Sequence, residues 1–155
     1  MKIDDRIVLI TVVGLISAAI GKTSAIIVKH FYPPTITMTE VIAPIFFTNQ
    51  NANTAVGFIF STFLSLTVGG IYSFMYILLL DLTGWRYFWL KGFVVTSTGF
   101  LLSIGLLVKV LNLVPQEKNT VWIPIILYLA HMILMICQTV LVKMWGKPKN
   151  DRYIW

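Results

Sequence analysis

Long apolar segments separated by short polar stretches dominate this sequence. The apolar residues gather into four segments, at about residues 7–28, 54–80, 88–111 and 121–145. Each segment is long enough to cross the hydrocarbon core of a bilayer as a helix, which takes about 20 residues. A helix also satisfies its backbone hydrogen bonds internally, as lipid requires. The pattern therefore predicts an all-α integral membrane protein, a single domain of 155 residues that forms a four-helix bundle.

A more polar stretch, residues 29–53, joins the first two spans. Within it, Thr37 and Glu40 have the spacing of a capping box, which predicts that a helix begins there. The apolar run that follows, residues 41–47, is too short to cross a bilayer. We therefore expect a short interfacial or re-entrant helix between spans one and two.

The composition favours an apolar surrounding over water. Hydrophobic residues make up 57% of the chain and charged residues 12%, whereas soluble domains carry about 25% charged residues. A small soluble domain leaves too much of its surface exposed to hide so many apolar side chains. The single cysteine, Cys137, excludes an internal disulfide and argues against a cysteine-based metal site. The two histidines, His30 and His131, lie at different predicted depths, so we expect no haem, no other cofactor and no metal.

The basic residues are divided unequally between the two sides of the predicted bundle. The side with both termini carries eight: Lys2, Arg6, Arg86, Lys91, Lys143, Lys147, Lys149 and Arg152. The other side carries four: Lys22, Lys29, Lys109 and Lys118. Because cytoplasmic loops are enriched in Lys and Arg, both termini are predicted to be cytoplasmic in a multi-pass protein of the cell membrane. The net charge of +6 then reflects topology and contact with lipid headgroups, and nucleic acid is not expected as a partner.

Three of the predicted spans carry ridges of small residues at helical spacing. Span one has Gly14, Ala18, Gly21 and Ala25; span two has Ser61, Ser65, Gly69 and Ser73; span three has Gly92, Thr96, Gly99 and Ser103. In lipid, small residues let helix backbones approach closely. The ridges predict tight packing among spans one to three or, if one ridge is left over, a homo-oligomer. Span four lacks such a ridge and is expected to pack more loosely, or to face lipid or another protein.

Three polar residues within the predicted spans form a candidate intramembrane site: Lys22, His131 and Gln138. Lys22 can extend its amine to the interface, or it can be a cation in a polar cavity that binds an anionic substrate or headgroup. His131 lies near the predicted midplane, with Gln138 seven residues later on the same face. The histidine can hydrogen-bond a neighbouring helix as structural glue, or it can serve a proton or substrate site.

No set of residues has the form of a catalytic constellation, so an enzyme is not expected. Glu40 and Asp81 lie at segment ends on opposite sides and cannot act as a carboxylate pair, and Asp81 is expected to close the second span. The leading hypothesis is a non-enzymatic membrane protein surrounded by lipids, a homo-oligomeric or accessory subunit that organises a membrane assembly.

The alternative is a small oligomeric transporter or channel that uses Lys22, His131 and the serine ridge of span two. Such a protein should place these residues around one cavity. A membrane enzyme subunit is a lesser alternative.

Several short elements carry a resemblance to a known family. They are Thr39-Glu40-Val41 with Pro44, Gly69-Gly70-Ile71-Tyr72, Trp89 with Gly92, and Pro115. In these elements the chain resembles the uncharacterised small bacterial membrane proteins of the YqhR type, over roughly residues 7–115. The resemblance implies four spans, an irregular segment after the first, and a short turn between the second and third. It implies no catalytic residue.

Overall fold

The fold is known from a computed structural model that describes residues 2–33, 37–47, 54–108 and 122–147. Every regular element in these ranges is helical: α1 (Arg6–Phe31), α2 (Met38–Phe46), α3 (Ala55–Thr83), α4 (Phe88–Phe100), a π-helix that continues α4 (Leu101–Val108), and α5 (Trp122–Trp145). Some sequence predictions fall outside the described residues, namely those on Lys109, Pro115, Lys118 and the tail beyond Lys147.

Four of these helical segments are long and apolar enough to cross a membrane: α1, α3, α5, and α4 with the first part of its π-helical continuation. Helices α1, α3 and α5 contain 26, 29 and 24 residues. At about 1.5 Å per residue all three exceed the roughly 30 Å of a hydrocarbon core. The prediction of four such helices is confirmed. Helix α2 has 9 residues, and its location at a membrane interface stays a prediction.

Helix α1 is longer than the predicted first span. It begins after Asp5, whose carboxylate accepts hydrogen bonds from the backbone N–H groups of Ile7 and Val8 at 2.8 and 3.1 Å. It continues to Phe31, three residues beyond the predicted end. Lys29 lies in its last turn, where a cation interacts favourably with the helix dipole.

Helix α3 also extends past its predicted end, to Thr83. Asp81, which was expected to close the span, lies instead inside the last turn, where its carboxylate pairs with Arg6 of α1 at 2.9 Å. The helix ends at Gly84, whose φ of 83° lies in the left-handed region that favours glycine.

The two ends of the bundle differ. At one end, here called the terminal end, α1 begins and α5 finishes, and the backbone N–H of Ile3 donates to the carbonyl oxygen of Trp145 at 2.7 Å. The opposite, distal end holds α2 and the beginnings of α3 and α5. Helices α1 and α4 each pack against both α3 and α5, which contact each other at few positions.

The side chains are distributed as expected for a protein surrounded by lipid. The outward faces carry large apolar side chains such as Phe63, Ile71, Leu90 and Leu129. The buried residues include many polar ones: Ser17, Ser61, Ser65, Ser73, Thr96, His131, Gln138 and Thr139. This arrangement would be unfavourable in water, whereas lipid solvates the apolar surface. Among the buried polar residues, Gln138 and Ser73 bond each other across two helices.

The ridges of spans one and two face each other. A Cβ added to Gly14 would lie 2.6 Å from the Cα of Gly70, and one added to Gly69 would lie 2.7 Å from the carbonyl oxygen of Gly14. Ala18 also contacts Gly69. The backbones of α1 and α3 therefore approach closely because glycine occupies these positions.

The ridge of span three faces α5 at Gly92, where an added Cβ would lie 2.9 Å from Thr139 Oγ1. Helix α5 buries seven residues, Ile123, Leu127, His131, Met135, Gln138, Thr139 and Val142, and it packs along α1 and α4. The prediction that the fourth span packs loosely is wrong. Close approach needs small residues on only one of two partners, so the ridges of α1 and α4 suffice.

Large apolar side chains fill the terminal half of the bundle. One cluster consists of Leu9, Val13, Tyr76, Ile77, Leu80, Trp85, Phe88 and Val142. At the distal end, a second cluster joins α2 to α4, its π-helical continuation and α5 through Val41, Phe100, Ile104, Ile123 and Leu127. The candidate site lies between the terminal cluster and the distal end.

Candidate functional site

A cavity of about 60 Å³ lies between α1, α3 and α5. Small and aliphatic side chains form most of its wall, and five polar residues interrupt it: Lys22, Thr37, Ser65, Tyr72 and His131. A water molecule needs about 10–15 Å³ in this measure. The cavity therefore has room for several waters or one small chemical group.

Lys22 and His131 lie at the same depth on different helices. Lys22 is nine positions before the distal end of α1, and His131 is nine positions after the distal start of α5. At about 1.5 Å per residue, both lie about 13 Å from the distal end. This equal depth explains why two residues far apart in sequence line one cavity.

The Lys22 ammonium has neutral neighbours. It donates a hydrogen bond to Thr62 Oγ1 at 2.5 Å and lies 4.9 Å from the centre of the Phe58 ring. Within the described residues it forms no ion pair, although Arg6, Lys29 and Lys147 all pair with carboxylates. Thr62 and Phe58 are not lining residues, so Lys22 lines the cavity while its ammonium lies beside these two residues at the cavity's edge, with no carboxylate partner among the described residues.

The ring of His131 is held in place by its own helix and two aromatic neighbours. Its Nδ1 lies 2.7 Å from the carbonyl oxygen of Leu127. Since a carbonyl oxygen only accepts, Nδ1 carries a proton and Nε2 is the acceptor of the neutral ring. Tyr72 and Phe100 make edge-to-face contacts with the ring, with centroids 5.8 and 5.1 Å away. Among the described residues, His131 forms no hydrogen bond with a serine of spans two or three.

Gln138 lies below the cavity, toward the terminal end, rather than in its wall. Its side-chain amide donates to Ser73 Oγ at 2.9 Å and to the carbonyl oxygen of Gly69 at 3.2 Å. These bonds connect α5 to α3 where the two helices otherwise share few contacts. The structure thus brings Lys22 and His131 together at the cavity, and Gln138 forms the polar bridge beneath them.

The start of helix α2 borders the cavity on its distal side. Thr37, its N-cap, lines the cavity, and the capping box is present because the Thr37 N–H donates to Glu40 Oε2 at 2.8 Å. Lys29 of α1 pairs with the other oxygen of the Glu40 carboxylate. Burial alone would raise the pKa of Glu40, but the hydrogen bonds from Lys29 and Thr37 outweigh it and hold the pKa below its ordinary value.

Replacing Glu40 should loosen α2. Glu40→Ala removes both the ion pair and the reciprocal cap, and loss of a cap costs about 1 kcal/mol. We expect amide hydrogen exchange in α2 to speed up about fivefold, measured by mass spectrometry. Asp4→Ala, which breaks an exposed ion pair with Lys147 at the terminal end, is the control and should leave α2 unchanged. Equal exchange in the two variants would contradict the role of the Glu40 contacts.

The contacts of Glu40 with Lys29 and Thr37 also make the stability of α2 depend on pH. Because the folded-state pKa of Glu40 lies below its ordinary value of 4.5, its stabilising contribution is present above that value and is lost as the pH falls through the lower folded pKa. After correction for intrinsic exchange, α2 of the unsubstituted protein should therefore loosen only below about pH 4.5.

Sequence reasoning missed three residues of the site: Phe58, Thr62 and Tyr72. They share one face of α3 with Ser65 and Gly69, because successive members of this set are three or four residues apart. This spacing was available in the sequence. The sequence does not show, however, that this face of α3 lies opposite Lys22.

Among the described residues, no group of three His, Cys, Asp or Glu residues could hold a metal ion. The chain was also compared with family models, curated proteins and solved structures, and none of them matches it. The resemblance to the YqhR-type proteins therefore stays a prediction.

Proposed function

We propose that this chain is a non-enzymatic, multi-pass membrane protein that binds a small ligand in the cavity between α1, α3 and α5. One observation carries the proposal: Lys22, Ser65 and His131, from three different helices, line the same cavity. This is the arrangement expected of a binding or transport protein. A purely structural protein is expected to bury His131 against a neighbouring helix and to extend Lys22 to the interface. His131 does pack against Tyr72 and Phe100, so the shared cavity is the observation that favours binding.

The composition of the wall supports a binding role. Ligand sites are typically apolar with a few placed polar groups, and this cavity combines aliphatic walls with a cation, hydroxyls and an imidazole. The terminal half of the bundle is packed, with Leu80 and Val142 fully buried. A cavity with one packed end suits a binding protein, or one state of a transporter, better than an open channel.

The assembly hypothesis receives less support. Gly14, Gly21, Gly69, Gly92 and Gly99 all face residues of other helices within the chain. These ridge glycines are therefore occupied by internal packing and are not left over for a second copy. If both termini are cytoplasmic, as proposed from the basic residues, the cavity lies in the outer half of the membrane.

Thiol labelling tests whether the cavity is open to a ligand. In a Cys137→Ser background, Ala130→Cys places a thiol in the cavity wall, and Leu129→Cys places one on the adjacent outward face. The thiolate is the reactive form and needs water to form. We expect a small membrane-impermeant methanethiosulfonate to modify Ala130→Cys at least tenfold faster than Leu129→Cys when it is added to intact cells.

Sidedness provides the second readout. Reagent added only to the cytoplasmic face, in inside-out vesicles, should modify Ala130→Cys slowly. Equal labelling from both faces would favour a continuous channel. Labelling of Ala130→Cys no faster than Leu129→Cys would show that the cavity is closed to solutes and would overturn the proposed function.

A further inference from the structure

The charge balance of the cavity identifies the class of ligand. No carboxylate is among the lining residues, and Lys22 is the one Lys or Arg residue among them. Glu40, three residues after the lining residue Thr37, is already paired with Lys29. A cation at this depth is costly unless a counter-charge or polar groups solvate it. An anion in the cavity would supply the missing counter-charge.

The Lys22 ammonium also has unused donors. An ammonium group has three N–H donors, and one of them goes to Thr62 Oγ1. The Phe58 ring attracts the charge through its face but accepts no conventional hydrogen bond. The remaining donors have no other hydrogen-bond partner among the described residues. They are available to an oxyanion, with which hydrogen bonds are shorter and stronger than with neutral groups.

The other lining residues of the cavity favour a ligand with an apolar body. Ala18, Gly21, Ala25, Val68 and Leu134 line the cavity and offer no polar side chain to a ligand. A ligand that carried polar groups along its whole length would leave them without partners there. An anionic group attached to an apolar body matches both features.

The volume limits how much of such a ligand can enter. Drug-sized ligands occupy pockets of about 300–1,000 Å³, whereas this cavity is about 60 Å³. It therefore takes an anionic head and the few carbons next to it. The ligand is then either a short organic acid or the head of a lipid whose chains remain outside the cavity.

From these observations we propose that the cavity binds the anionic head of an amphiphile, with Lys22 as its counter-ion. The inference rests on the proposed binding function and specifies its ligand class. The head is a carboxylate or phosphate group, and the attached body is apolar. Thr62 positions the Lys22 amine through its hydroxyl, so it acts through Lys22.

Binding measurements on the full-length protein in phosphatidylcholine nanodiscs test the proposal. The soluble probes are hexanoate, hexanol and hexylammonium, and the lipid probe is phosphatidic acid included in the nanodisc. We expect hexanoate or phosphatidic acid to raise the unfolding temperature, and hexanol and hexylammonium to leave it unchanged. A response to hexanoate alone identifies a soluble acid, a response to phosphatidic acid alone identifies a lipid, and either supports the ligand class.

Variants assign the effect to Lys22. Lys22→Gln removes the charge at similar length and should weaken binding at least tenfold, since hydrogen bonds to charged groups contribute about 1.5–3 kcal/mol. Lys2→Gln makes the same charge change on an exposed residue of the terminal end and should bind normally. If Lys22→Gln does not fold, two other variants test the same point. Lys22→Arg retains the charge and should still bind, whereas Ala130→Leu fills the cavity and should abolish binding.

The results separate this inference from the proposed function. Equal responses to hexanoate and hexylammonium, or unchanged binding in Lys22→Gln, would overturn the ligand class. The absence of any anion response, with Ala130→Cys still accessible to thiol reagents, would also overturn it while leaving the binding function standing. An inaccessible Ala130→Cys refutes the proposed function itself.

Discussion

Gly69→Ala should destabilise the protein by about 1–3 kcal/mol, whereas Gly70→Ala, at the next position of the same helix, should not. A Cβ on Gly69 would overlap the Ala18 side chain and approach the carbonyl oxygen of Gly14 to 2.7 Å. A Cβ on Gly70 would meet nothing within 4 Å. Both substitutions add one methyl group to a helix, so the difference between them isolates the contact between α1 and α3.

The free energy of unfolding in mixed micelles, followed by circular dichroism during titration with a denaturing detergent, measures both variants. Since Ala is a better helix former than Gly by about 0.8–1.0 kcal/mol, Gly70→Ala should be neutral or slightly stabilising. Similar losses in the two variants would mean that α1 does not approach α3 at Gly69.

Leu80→Ala should destabilise the protein by roughly 2 kcal/mol, and Leu82→Ala should change the stability by less than about 0.5 kcal/mol. Leu80 is fully buried in the cluster of the terminal half, whereas Leu82 is 74% exposed. Leucine is as well solvated by lipid as by a protein core. The cost of Leu80→Ala therefore comes from the space that it leaves in the packing, and Leu82 loses little because lipid fills the gap.

Leu80→Ala also tests whether the terminal half of the bundle opens, as it must in a transporter. If the terminal half is a fixed core, Leu80→Ala lowers the unfolding free energy and leaves the cavity inaccessible from the terminal end. If Leu80→Ala instead costs nothing and lets reagent added on the side of the terminal end reach Ala130→Cys, the terminal half opens readily, and the protein is better described as a transporter.

The helices could be predicted from the sequence because each depends on residues close together in the chain. Segment length and apolar content fixed the four long helices, and local signals such as Thr37 with Glu40 marked a helix start. The ends were less certain, since they depend on distant partners. Asp81, for example, lies inside α3 and pairs with Arg6, a residue 75 positions away that no local pattern identifies as its partner.

Helix pairing could not be predicted, and this produced the error on α5. A ridge of small residues shows that close approach is possible, but it does not show which neighbour approaches. Gly92 was assigned to packing among spans one to three, yet it faces Thr139 of α5. Because one small partner suffices for close contact, the absence of a ridge on α5 carried no information about how tightly it packs.

The sequence by itself determined the class of the protein: an all-helical chain with four segments that lipid can solvate, since length and hydropathy are properties of each segment alone. It also singled out Lys22, His131 and Gln138, because polar side chains within such segments are costly. Only the tertiary structure decided that Lys22 and His131 share a cavity while Gln138 lies beneath it. That outcome depends on the rotation and depth of three helices relative to one another, which close contacts such as Gly14 with Gly70 set and no single segment encodes.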